Sequence, residues 1–164
     1  MATVDLTLPA RRNHPRGRKP YIIQNEINFA TAVTSKGTAL ASSDVIKCLS
    51  VPAESVILHA GFEVTAAHTG TSTDTAIDFG VTGGDVDNFV DGFDFDGASV
   101  GAYAPTPAAY APVIVGGTAD TIDLLLQAMT GTTLTGKIRC FATLMDISDA
   151  GDMAANEVDR DTLA

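Results

Sequence analysis

The chain has no tryptophan, and its 164 residues include only two cysteines, three tyrosines and seven phenylalanines. Two cysteines cannot build the dense disulfide framework of a small secreted domain, so the fold must rest on apolar burial. Cys48 and Cys140 each sit inside an apolar, strand-like segment and are expected to be buried free thiols. His14, His59 and His68 lie far from either cysteine in sequence, so no Cys/His set has zinc-ligand spacing. The N-terminal segment lacks the apolar core of a signal peptide, and no uncharged apolar run approaches the ~18 residues that span a bilayer. These absences predict a soluble chain made in a cytoplasm, with no membrane partner.

Cations are scarce as well, with 10 Lys and Arg against 20 Asp and Glu. Half of them, Arg11, Arg12, Arg16, Arg18 and Lys19, fall within nine positions, and no acid lies between Asp5 and Glu26. Outside that cluster 5 bases face 20 acids, a net charge of −15. Such a division speaks about partners: an acidic body repels nucleic acid, while a basic arm seeks phosphate or an acidic protein surface, including that of a second copy. Residues 1–20 also contain Pro9, Pro15, Gly17 and Pro20 with no hydrophobic periodicity, and they read as an extended arm that orders on docking.

From residue 21 the texture changes to short apolar runs separated by Gly, Ser, Thr and Asp. With 45% hydrophobic residues, a chain of this length can bury ~70% of its unfolded surface in one domain. Residues 55–65 alternate most clearly, with Val56, Leu58, Ala60, Phe62 and Val64 on one side and Ile57, His59, Gly61 and Glu63 on the other. Residues 76–81 and 137–147 alternate too, and 21–29, 45–51 and 110–115 are shorter candidates. Residues 120–129 fit helix and strand spacing equally, but the glycine-rich flanks Gly116-Gly117 and Thr130–Gly136 favour a strand between turns. Seven or eight short strands predict an all-β fold, an antiparallel β-sandwich or jelly roll with an extended N-terminal arm. The boundaries expected are a basic arm over 1–20, a β-sandwich over 21–148 and an acidic tail over 149–164.

The long connection from Gly83 to Ala109 breaks this rhythm, and connections of such length are usually binding elements. Within it, residues 85–97 hold five aspartates, three phenylalanines and two glycines. An EF-hand alignment on Asp94, Asp96 and Gly97 puts Gly92 at the first ligand position and Tyr103 at the closing Glu, so the motif fails twice. The segment is therefore read as a solvated loop anchored to the core by Phe89, Phe93 and Phe95, which with Tyr103 form the candidate contact loop. No metal site and no cofactor are expected.

Catalytic signatures are missing. There is no G-x-S-x-G, P-loop or G-x-G-x-x-G, and Asp74-Thr75-Ala76 only echoes an aspartic-protease loop because it lacks the buried apolar strand before it. His59 and His68 are read as solvated surface residues, and the chain is expected not to be an enzyme. In the arm, Pro15-Arg-Gly-Arg-Lys-Pro20 is similar to the AT-hook, whose arginines enter a narrow A·T minor groove. Lys19 interrupts the core of that motif and the acidic body opposes it, so nucleic acid is not the expected partner.

The body resembles small structural proteins of tailed bacteriophages, particularly those of cyanobacteria and marine bacteria. The resemblance is carried by Val51–Ile57, Gly61–Thr65, Asp78–Gly83, Asp87–Asp94, Gly101–Tyr103, Ala119–Asp123 and Gly136–Ala142, together spanning residues 44–148. It implies a β-sandwich virion protein that cements or decorates the capsid, commonly as a trimer, with the major capsid protein of the head as partner and the virion as location. Arg11, Arg12, Arg16, Arg18 and Lys19 are then the docking arm. Two other readings stay open: a minor component of tail, neck or head fibre, and a DNA-binding protein using the AT-hook-like arm.

Overall fold

Alternating β-branched and aromatic residues make half-buried strands, and eight of them form here in a computed structural model that describes residues 19–81, 84–104 and 111–147. Chain order is β1 (Tyr21–Asn28), α1 (Phe29–Lys36), β2 (Val45–Val51), β3 (Ser55–Ala66), β4 (Thr73–Val81), β5 (Val90–Asp94), β6 (Val113–Val115), β7 (Asp120–Thr130) and β8 (Lys137–Asp146). One antiparallel sheet runs β1-β8-β3-β6 and the other β2-β7-β4-β5. Strand 1 thus pairs with 8, 2 with 7, 3 with 6 and 4 with 5, the rolled-hairpin order of a jelly roll. The β-sandwich expected from the sequence is present. Residues 1–18, the acidic segment after Ile147 and the Pro/Ala-rich stretch 105–110 lie outside the described residues.

The core is what the two inner faces share. Ile138, Cys140, Ala142 and Leu144 of β8 and Ile57, Ala60, Phe62 and Val64 of β3 meet Ile77, Phe79 and Val81 of β4 and Ile122, Leu124 and Leu126 of β7. Phe62 stands near the middle, edge-on to Phe79 at 5.7 Å and to Phe93 at 5.1 Å between ring centroids. The ambiguous segment 120–130 is a strand, and both cysteines are buried free thiols. A hydrogen bond with Cys48, together with burial, pushes the Cys140 thiol well above its ordinary pKa, which makes it inert.

Three local features depart from the sequence reading. The alternation of β3 does not run unbroken: the register slips between Ile57 and His59, so Leu58 forms a bulge and Ile57 turns inward. A bulge leaves no mark in a pattern of apolar residues, because both Ile57 and Leu58 satisfy it. The first candidate strand ends at Asn28, and a helix follows that was not anticipated. Asn28 caps it by accepting from Ala30 N at 3.0 Å, and Gly37 closes it in the left-handed region at φ 78°. Thr31, Val33 and Thr34 hide this helix from propensity, while Phe29 plugs the end of the core against Phe95 at 4.9 Å. Finally, the long connection contains a strand, β5, paired with β4 through Ala76–Asp94 and Ile77–Phe93.

Replacing Phe62 with Ala is expected to cost about 3–5 kcal/mol, whereas Ile22→Ala on the outer face should stay within about 0.5 kcal/mol. Chemical denaturation followed by circular dichroism measures both. Equal losses would contradict this placement of the core.

Candidate functional site

The segment after β4 folds back over the outer face of its own sheet. Gly80 makes this possible, since a Cβ there would collide with the carbonyl oxygen of Asp85. Val81 N donates to Asp85 O at 3.0 Å, Phe89 N to Phe79 O at 2.9 Å and Phe95 N to Thr75 O at 2.9 Å. Phe89 and Phe95 are fully buried and Phe93 is half-buried, so the phenylalanines anchor this segment as expected. Of the four candidate contact residues, Tyr103 alone keeps a mainly solvent-facing side chain, at 61% exposure.

The aspartates divide into two groups. Several cap backbone N–H groups: Asp78 Oδ1 accepts from Gly92 N at 2.8 Å, Asp94 Oδ1 from Gly97 N at 3.1 Å, and Asp96 Oδ1 from Thr75 N. The rest crowd one another. Asp85 and Asp91 push the Asp87 carboxyl above the ordinary range, Asp85 chiefly through a shared hydrogen bond and Asp91 by charge repulsion. Between β4 and β5 a cleft of about 300 Å³ is lined by Asp74, Thr75, Ala76, Gly92, Asp94 and Asp96. Asp74 enters it from a left-handed backbone at φ 54°. Thr75 is 1% exposed, and its Oγ1 has no hydrogen-bond partner among the described residues. Asp94 and Asp96, singled out by the failed EF-hand alignment, therefore do meet, with Asp74 as neighbour. Among the described residues no group of three His, Cys, Asp or Glu is arranged to hold a metal ion.

A second feature lies on the outer face of the β1-β8-β3-β6 sheet. His59 stacks on Phe141 at 6.0 Å, and Tyr103 meets the same ring at 6.4 Å. Ile22 and Ile114, 72% and 71% exposed, extend the apolar character toward the end where β1 begins. The other end is charged and self-neutralised, Glu63 with Arg139 and Glu26 with Lys137 at 3.0 Å. His59 is on the outer face as expected. His68 is not a solvated residue: it is half-buried, its Nδ1 accepts from Thr135 N at 3.2 Å and its Nε2 meets Ser72 O at 3.2 Å. It ties two turns together, a role with no signature in Ala67-His-Thr-Gly70. A larger groove, about 510 Å³, runs between β1, α1 and β2, but its charges balance: Lys36 pairs with Asp44, and Glu26 with Lys137. Lys19 is exposed, and Arg11, Arg12, Arg16 and Arg18 lie outside the described residues.

Asp78 supplies a pH test. It is 3% exposed, and burial raises its carboxyl above the ordinary Asp value, with repulsion from Asp91 adding to the effect. The folded chain therefore holds a proton to higher pH than the unfolded chain, and this group's contribution to stability falls as pH rises through that window. Asp78→Asn keeps an acceptor for Gly92 N and is expected to raise the melting temperature at pH 7 by a few degrees. The gain should shrink as pH falls toward about 4. A lower melting temperature at pH 7 would contradict the assignment.

No protein-family model matches the chain, and no curated protein matches it in sequence. Solved structures do match in fold. A chain of the cyanophage Pam1 capsid asymmetric unit aligns at TM-score 0.59 and 15% identity, covering 89% of this chain and 96% of that one. A chain from the capsid of Ralstonia phage GP4 aligns at TM-score 0.55 and 13% identity, covering 80% and 86%. The resemblance to tailed-phage structural proteins read from the sequence thus extends to the fold, which this chain shares with chains of phage capsids.

Proposed function

We propose that this chain is a structural virion protein that cements or decorates the head shell of a tailed phage, binding the major capsid protein as a homo-oligomer, on the resemblance a trimer. The observation that carries this reading is the jelly roll shared, over 89% of the chain, with a chain of the Pam1 capsid. Two physical features support it. The basic cluster Arg11, Arg12, Arg16, Arg18 and Lys19 falls within nine positions of an otherwise acidic chain, the charge division that a docking arm requires. The outer sheet face around Phe141, with Tyr103, Ile22 and Ile114, presents rigid aromatic and aliphatic area of the kind that anchors interfaces. Its Phe141–His59 stack is preorganised, so binding there orders few side chains.

In this reading the domain bridges shell subunits and the arm adds contact area on a neighbour. Phe89 and Phe95 shape the contact loop from below, and Tyr103 touches the partner. Heads decorated with the full chain and with a variant starting at residue 21 would be washed in rising salt and the bound protein quantified. The arm-less variant should be retained about tenfold less, and Tyr103→Ala several-fold less. Undiminished retention of both would overturn the reading.

A further inference from the structure

The outermost strands of the two sheets are β1, β6, β2 and β5, and three of them are protected against further pairing. Strand β6 has only three residues. Strand β5 holds Asp91 and Asp94 around Gly92, which sits in the left-handed region at φ 60°. Strand β2 is broken by a register shift between Lys47 and Leu49 and carries a cation at Lys47. Short length, charge and bulges are what keep a sheet edge from adding another strand. Strand β1 has none of these. Its eight residues run in unbroken register on β8, and its one charge, Glu26, is neutralised by Lys137 at 3.0 Å.

The ladder fixes which backbone groups of β1 are free. Phe29 N donates to Gly136 O, directly beyond the Asn28–Lys137 pair, so the odd-numbered residues bond β8. Ile22, Gln24 and Glu26 therefore turn their N–H and C=O groups to the open side. The same alternation, carried across β8, points Phe62 and Val64 away from it, where Phe62 O accepts from Ala104 N and Val64 N donates to Ala102 O. Among the described residues no hydrogen bond reaches the outward backbone groups of Ile22, Gln24 and Glu26.

We infer that β1 is the pairing edge for β1 of a second copy, antiparallel about Gln24, joining two four-stranded sheets into one. The inference rests on reading the chain as a homo-oligomer, and names one of its contacts. Self-complementarity singles out a second copy, because the three free positions are symmetric about Gln24. A two-fold axis there sets Gln24 opposite Gln24 and Ile22 opposite Glu26, and about six backbone hydrogen bonds form. Centring on Asn25 would instead call on Asn28, which is occupied in capping α1. Charge agrees, since β1 with its paired Glu26 is neutral, whereas two β5 edges would bring Asp91 and Asp94 together. The register also sets Tyr21 of the second copy opposite Ile27 and on the same face of the sheet. That face looks into the groove of about 510 Å³ lined by Ile27, Ala32, Leu40, Val45 and Ile46. Tyr21 and Val45, 39% and 45% exposed, both gain cover there. The chain's own N-terminal segment is a poorer strand for this edge, because Pro9, Pro15 and Pro20 withhold N–H groups. Being two-fold, the contact cannot close a trimer, and where trimers form it joins copies of neighbouring ones.

Thiol cross-linking of the full chain tests this, because Cys48 and Cys140 are both buried. Gln24→Cys sets two thiols across the axis with Cα atoms about 5.5 Å apart, so a short bismaleimide should link the chain into covalent dimers. Thr132→Cys, in an exposed turn, should give at least about fivefold less dimer, because nothing holds its thiols at linking distance. Gln24→Lys keeps the backbone groups but opposes two ammonium ions across the axis. It should lower the association constant in sedimentation velocity about tenfold, with the circular dichroism spectrum unchanged. Three results would each overturn the inference: a chain monomeric at about 100 µM, equal linking of the two cysteine variants, or association untouched by Gln24→Lys. Dimers formed only by a variant starting at residue 21 would overturn it too, by showing that the preceding residues cover the edge. All of these leave the head-shell reading standing, since retention on heads is measured separately.

Discussion

Everything in this molecule depends on filling the space between two four-stranded sheets, and Phe62 is the side chain on which that filling turns. Its ring meets Phe79 from β4 and Phe93 from β5, so the packing of β3 against the opposite sheet also fixes the acidic segment that carries β5. Phe89 and Phe95 extend the same arrangement to either side, Phe89 against Phe79 at 6.5 Å and Phe95 against Phe29. A chain without tryptophan thus closes its core with five fully buried phenylalanines, three of which hold the ends and the acidic flap in place. The aspartates can crowd at the surface because the phenylalanines beneath them are buried.

That constraint separates structure from recognition. The core uses aromatic rings and aliphatic faces with little charge, and the described ion pairs sit on the outer surface, where each contributes little. Asp78 and Asp123 are the exceptions, buried at 3% and 4% exposure on the face that the segment after β4 covers. Asp123 Oδ1 has no partner among the described residues, so covering that face carries a cost that the phenylalanine anchors offset. The outward features, an aromatic patch on one sheet and a carboxylate cleft on the edge of the other, therefore sit on a rigid support. Rigid presentation of these features suits the proposed role of holding neighbours together.

Much of the fold was legible because its strands obey period two: residues 55–65, 76–81 and 137–147 announce themselves by alternation, and glycine-rich flanks identify 120–130 as a strand. The bulge at Leu58 was not legible, since two adjacent apolar residues satisfy either register. Helix α1 escaped because its Thr and Val content suits a strand equally, although Asn28 before it and Gly37 after it are a start and a stop signal. For the site, the sequence identified the acidic segment and its phenylalanine anchors but not the cleft. Asp74 was read through a protease echo and Asp94 and Asp96 through an EF-hand alignment; only the β4–β5 pairing brings them together. A clue was present in Gly80, since an isolated glycine within a strand marks a close backbone approach.

The central claim is that this chain belongs to a phage head shell in many copies. Quantitative mass spectrometry of purified source particles, counting this chain against the major shell protein, tests it most directly. A ratio near one is the expected result. A handful of copies per particle would place the chain in a tail, neck or head fibre, and absence from the particles would contradict the account outright.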